Sequence, residues 1–125
     1  RDGRPVLAIG SPGGATIITT VLQILVEHLD LGASLPEAIA APRVSQRNSD
    51  PGDAEPAFLD SPEAAQLQAL GEQFRLVPAT APLPPEIGAA AGIAFGRHGR
   101  LQAAAEPVRR GGGSALVVHP EEVSP

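Results

Sequence analysis

The stretch that most constrains this 125-residue chain is Gly10-Ser11-Pro12-Gly13-Gly14. A short apolar run, Val6-Leu7-Ala8-Ile9, leads into it, and a long apolar segment over 15–31 leads out. That pattern predicts a strand, a tight turn and a helix. A turn of this kind leaves free backbone N–H groups at a helix N-terminus, where the macrodipole favours negative charge. Paired glycines also reach dihedrals closed to other residues and let the backbone approach a ligand closely. The turn reads either as a site for an anion or a developing oxyanion, or simply as a tight strand-to-helix connection.

Composition narrows the alternatives. Hydrophobic residues make up 42%, but aromatics only 2%, so any core is built from Ala, Val, Leu and Ile. The net charge of −5 and the scattered basic residues argue against a nucleic-acid surface. With no cysteine, disulfides and thiolate chemistry are excluded. The chain also holds no methionine, which predicts a processed or cut product of something longer. The segment over 15–31 carries Thr, Gln, Glu, His and Asp, so it reads as a buried core helix and not a membrane span.

Along the chain, Asp2-Gly3 is a hairpin-turn signal whose upstream strand is missing, so an exposed edge is expected near 6–9. In the helix over 15–31, Ile18, Leu22, Leu25 and Leu29 form one apolar stripe and Ile17, Val21 and Ile24 a second, predicting burial on two sides. Gly32 ends that helix. Ser34, Pro36 and Glu37 then form a capping box opening a short helix to about Ala41, before Pro42. The polar span 43–56 reads as a mobile surface loop, and 57–59 as a short strand. Ser61-Pro62-Glu63 starts another helix, with Ala64, Leu67 and Leu70 on one face and Gly71 at its end. A strand over 73–78, a proline-rich linker over 79–86, a hairpin of 89–95 and 100–105 around Gly96-Arg97-His98-Gly99, and a last strand over 114–119 complete the order. The expected class is α+β, with helices packed on a mainly antiparallel sheet. Residues 1–120 read as a single partial domain and 121–125 as a disordered tail.

Other chemistries fit less well. A phosphate loop needs G-x-x-x-x-G-K-[ST], and the chain has no lysine. Ser11 lacks the G-x-S-x-G frame of a serine nucleophile. Thr19 and Thr20 lie inside a helix without a free α-amine to serve as base, and read as packing or back-bonding residues. Glu27, His28 and Asp30 lack the i, i+4 spacing of helical metal ligands and read as a solvated helix end. Arg43 is either a structural salt-bridge partner or a substrate-proximal group, while Arg109 and Arg110 read as a solvated charge pair. No metal or cofactor is implied.

The turn, with Ile17-Ile18-Thr19-Thr20-Val21-Leu22-Gln23 behind it, closely resembles the C-terminal part of the small subunit of γ-glutamyltranspeptidases. Supporting segments follow in order. Glu37-Ala38 with Ala41-Pro42-Arg43 is similar to the family's "EA…APR" segment, and 61–71 to a family helix. Gly99-Arg100-Leu101 with Ala104-Ala105-Glu106-Pro107 resembles its "G-x-L-x-G-A-S-D-P-R" ending. The resemblance implies part of an αββα N-terminal-nucleophile hydrolase sandwich. It implies a self-cleaving precursor whose exposed threonine attacks γ-glutamyl amides such as glutathione, and no cofactor. Gly13 and Gly14 take the family's oxyanion-hole positions, with Ser11, Pro12 and Arg43 as supporting residues.

The chain departs from the family at Glu106-Pro107-Val108-Arg109 and at Val44-Ser45, so no role is carried onto those positions. The catalytic threonine and the paired serines that hold the substrate carboxylate would lie upstream of Arg1. The expected partners are the remainder of the small subunit, the large subunit and a γ-glutamyl substrate. The chain alone is expected to be inactive, and its uncovered apolar surface could drive a homodimer. The resemblance leaves periplasmic, secreted and cytoplasmic locations open. It also leaves a non-catalytic anion-binding module of the same fold as the alternative.

Overall fold

The computed structural model describes residues 2–79, 82 and 84–118. Strand β1, Leu7–Gly10, runs through a 3-10 turn, Gly14–Thr16, into helix α1, Ile17–Leu29. Helix α2, Leu35–Ala40, follows, then strands β2, Val44–Ser45, and β3, Gly52–Ala54. Two more helices, α3, Pro56–Leu59, and α4, Pro62–Ala69, precede strands β4, Phe74–Leu76, β5, Ala91–Phe95, and β6, Leu101–Ala105. One sheet has the order β1-β5-β6 and is antiparallel throughout. The other, β2-β3-β4, pairs β3 antiparallel to β2 and parallel to β4. This is the α+β class expected.

Local signals set the helix ends. The Ser34 side chain accepts from Glu37 N–H while the Glu37 carboxylate accepts from Ser34 N–H, completing the capping box. Ser61 caps α4 through Ala64 N–H, with Pro62 at the first helical position. The β5–β6 hairpin forms around the glycine-bounded turn, Phe95 opposite Leu101. Asp2 and Gly3 both take positive φ, 52° and 72°, as a type I′ turn requires. Among the described residues β1 pairs on one side only, the exposed edge expected there.

The main core joins Ile24 of α1, Leu35, Ala38 and Ile39 of α2, Ala90 and Ala104. A second core gathers Ala54, Phe58 and Ala64, with Phe58 edge-on to Phe74 at 5.4 Å between ring centres.

Several expectations fail, each for a physical reason. Helix α1 is buried on one face only, through Thr20 and Ile24, while Ile18 is 78% exposed and Leu22 and Leu29 are also exposed. The stripes marked apolar surface correctly, but the described residues cover only one of them. On α4 only Ala64 is buried, and Leu67 and Leu70 face outward. The span 43–56 is not a surface loop: it holds β2 and β3, and Arg43, Ser45, Asp53 and Glu55 are all buried. Residues 57–59 belong to a helix, because Pro56 starts a turn in which Phe58 and Leu59 N–H both donate to the Glu55 carbonyl. No strand forms over 114–118. The expected tail at 121–125, and Thr80, Ala81 and Leu83 of the expected linker, lie outside the described residues.

Candidate functional site

Gly10 ends β1 opposite Ala91, and the chain then turns sharply. Gly13 has φ +148° and Gly14 φ +56°, conformations that side chains disfavour. The turn is closed by Thr16, whose N–H and Oγ1 both donate to the Gly13 carbonyl at 3.1 and 3.0 Å, and by Ile17 N–H donating to the Gly14 carbonyl. None of these bonds uses the Gly13 or Gly14 N–H. Both groups therefore stand at the head of a 13-residue helix, with Gly13 half-buried and Gly14 exposed. The two glycines differ in room. A Cβ at Gly13 would lie 2.6 Å from Thr16 Oγ1, whereas one at Gly14 meets nothing within 4 Å.

Ser11 ties this turn to the rest of the fold. Its Oγ donates to the Pro12 carbonyl at 2.7 Å and accepts Ala89 N–H at 3.1 Å. Pro12 itself is exposed. Ser11, Pro12, Gly13 and Gly14 thus share one turn, tied through Ser11 to Ala89.

Arg43 is elsewhere, in a buried ion network. It is 1% exposed and donates to Glu106 Oε2 at 2.9 Å, to the Ile39 carbonyl at 2.7 Å and to the Ile87 carbonyl at 2.8 Å. It thus makes the buried salt bridge of its structural reading. Arg109 grips Glu55 with two bonds of 2.6 Å and also donates to Glu106 Oε1 at 2.8 Å. It is buried and fully paired, which corrects the solvated pair expected of Arg109 and Arg110; only Arg110 is exposed. Two arginines and two glutamates give a neutral cluster in which each charge has an opposite partner. The arginines also take up the Ile39 and Ala41 carbonyls at the end of α2, groups a helix leaves unsatisfied.

Electrostatics follow from this packing. Burial pushes the Glu55 carboxyl up. The Arg109 hydrogen bonds, then Ile87 N–H, the Arg109 charge and Arg43 N–H, outweigh it and hold the group below its ordinary value. Burial pulls Arg109 down, but Glu55 and Glu106 raise it overall. Arg43 is lowered by burial and by the neighbouring Arg109 charge. These groups tie distant parts of the chain together, and Glu55 and Arg109 also border a shallow surface cavity with Pro42, Pro56, Pro84 and Val108.

The remaining candidates fall outside both clusters. Thr19 Oγ1 back-bonds to the Thr16 carbonyl and meets Ser45 Oγ at 2.8 Å, consistent with a packing role. Thr20 is buried, and its Oγ1 has no hydrogen-bond partner among the described residues. His28 Nδ1 donates to the Ala33 carbonyl across the end of α1. No group of three or more His, Asp or Glu that could hold a metal occurs among the described residues. None of the described helices is long and apolar enough to cross a membrane.

Known proteins give this geometry its context. A sequence model of the γ-glutamyltranspeptidase family matches residues 1–116. The glutathione hydrolase proenzyme of Escherichia coli is 38% identical over 109 residues, covering 86% of this chain and 17% of that protein. The Bacillus subtilis glutathione hydrolase proenzyme is 50% identical over 44 residues, 35% of this chain and 8% of that protein. The chain thus spans under a fifth of the length of these relatives. The structure of a γ-glutamyltranspeptidase from Pseudomonas nitroreducens, complexed with L-DON, superposes with a TM-score of 0.76 at 29% identity, over 95% of this chain and 58% of that one. The fold is therefore that of part of an N-terminal-nucleophile hydrolase sandwich. With the family model matching nearly the whole chain and the fold superposing on a solved member, the chain belongs to the γ-glutamyltranspeptidase family.

Proposed function

We propose that this chain is the C-terminal segment of the small subunit of an enzyme that transfers or hydrolyses γ-glutamyl groups, and that Gly13 and Gly14 are its oxyanion donors. One observation carries the reading: two glycine N–H groups, unused by the bonds that close their turn, stand at the head of α1 in a chain of this family. The helix dipole and free N–H groups favour negative charge at the start of the helix. Charge develops there when a nucleophile adds to an amide carbonyl. The nucleophile is a threonine supplied by sequence outside these residues. Its hydroxyl attacks the γ-carbonyl, the tetrahedral oxyanion rests on the two N–H groups, and the amine leaves with a proton. Water or an amino acid then takes the γ-glutamyl group from the acyl-enzyme. The chain itself supplies no nucleophile and is inactive alone. The exposed face of α1, with Ile18, Leu22 and Leu29, fits contact with the remaining small subunit or the large subunit.

The test is a γ-glutamyl anilide assay on the full-length protein before and after self-cleavage. Activity is expected to appear with cleavage, and this chain alone is expected to show none. Turnover by the isolated chain would refute the placing of the nucleophile. A cleaved, folded, inactive protein would favour a non-catalytic module.

A further inference from the structure

The strip Ile87-Gly88-Ala89-Ala90 runs between the buried ion network and the glycine turn, and three of its four residues are held by hydrogen bonds. Ile87 is clamped on both sides: its N–H donates to Glu55 Oε1 and its carbonyl accepts from Arg43 Nη1, both at 2.8 Å. Ala90 N–H donates to Glu106 Oε2 at 3.3 Å, and its carbonyl accepts from Glu106 N–H at 2.8 Å. Ala89 N–H reaches the other way, to Ser11 Oγ. Between them Gly88 is buried with φ +66°. A Cβ there would stand 2.7 Å from Ser11 Oγ, 2.8 Å from Thr20 Oγ1 and 3.1 Å from Thr20 Cγ2. The Gly88 Cα itself lies 3.5 Å from where a Gly13 Cβ would be. Only a glycine lets the strip lie this close to both the turn and the first turns of α1.

We infer that Gly88 and Ser11 are positioning residues for the oxyanion turn. This rests on the reading of Gly13 and Gly14 as oxyanion donors. The ion network fixes Ile87 and Ala90, Gly88 sets the distance of approach, and the Ser11 hydroxyl fastens Ala89 to the Pro12 carbonyl just before the paired glycines. The arrangement holds two N–H groups in a half-open turn that the bonds of Thr16 and Ile17 alone would leave free to tilt. Displacing catalytic groups by about 1 Å can cost about 10²-fold in rate, so a device that prevents such drift has kinetic value.

The test uses the full-length, self-cleaved protein. Active sites are counted by covalent labelling of the nucleophile, so that kcat is read per competent site and separated from KM. Ser11→Ala removes only a hydroxyl, with its two hydrogen bonds, and is expected to lower kcat per site about tenfold, with KM within about twofold. Gly88→Ala is expected to lower it further. Where Gly88→Ala yields no cleaved protein, Ser11→Ala decides alone. A purely structural role would reduce the number of labelled sites while leaving kcat per site unchanged, and that result overturns the inference. So does a rise in KM with kcat unaltered. If both variants keep kcat while Gly13→Ala loses it, the positioning role fails and the oxyanion reading stands. If Gly13→Ala also keeps it, the oxyanion reading itself fails.

Discussion

The glycine turn and the buried ion network lie one short strip apart, yet they are built on opposite terms. The turn is closed by bonds among neighbours, from Thr16 to Gly13 and from Ile17 to Gly14, with one distant tie at Ser11. The network is closed mainly by bonds between residues far apart in sequence: 54 positions separate Glu55 from Arg109, and 63 separate Arg43 from Glu106. The turn keeps polar groups unused and accessible, and the network leaves almost none unused. An oxyanion site must stay available to a transient charge, while a buried charge cluster is tolerated only when every member is paired. The two regions thus differ in kind, one with backbone donors left accessible, the other with its charges buried and paired.

Breaking the network is expected to have the largest effect. Glu55→Gln leaves the Arg109 guanidinium buried with only Glu106 opposite, and removing one partner of a buried pair costs about 3–5 kcal/mol. Chemical denaturation of the full-length protein measures this, and a loss below about 1 kcal/mol would show that the cluster is not a structural centre.

The same pair sets a pH dependence. The folded Glu55 carboxyl titrates below its unfolded value of 4.5, so its contribution is fully present above that value. It is lost as pH falls through the lower folded value. The Tm gap between wild type and Glu55→Gln is therefore expected to be widest near neutrality and to narrow below about pH 4–5. A gap that widens with acid would contradict the assigned sign.

A smaller perturbation asks whether local and distant determinants are separable. Ser34→Ala removes the cap of α2, whose far end holds the Ile39 and Ala41 carbonyls that the arginines grip. The expected loss is about 1 kcal/mol of stability with turnover per active site unchanged. A fall in turnover would show that strain in α2 reaches the turn.

This contrast also explains what could be read from the sequence. The glycine turn, the Ser34 and Ser61 caps and the β5–β6 hairpin have determinants within a few residues of each other, so periodicity and turn chemistry reveal them. The span 43–56 looked like a loop because it is polar and punctuated by proline and glycine. Its polarity is instead that of Arg43 and Glu55 facing partners from the far end of the chain. Little near Arg109 marks it as buried. The only local sign was the spacing of Glu106 and Arg109, which pair as i and i+3, and the departure from the family's Asp-Pro-Arg concealed it. Helix α1 shows the remaining gap. Apolar stripes report surface that needs covering and not which residues cover it, so Ile18, Leu22 and Leu29 read as core and stand exposed.

The most direct measurement compares Gly13→Ala with Gly14→Ala in the full-length protein, as kcat per labelled active site. Alanine keeps both N–H groups, so the comparison isolates where they point. Gly13, at φ +148° and with Thr16 Oγ1 only 2.6 Å from where a Cβ would stand, is strained by any side chain, and relief of that strain is expected to turn its N–H. Turnover is expected to fall about 10²–10³-fold, the loss typical of one oxyanion donor. Gly14, at φ +56° with open space around it, is expected to lose less than about tenfold, since a single left-handed alanine costs roughly 1–2 kcal/mol. Near-normal turnover in both variants would contradict the assignment of this turn as the oxyanion site.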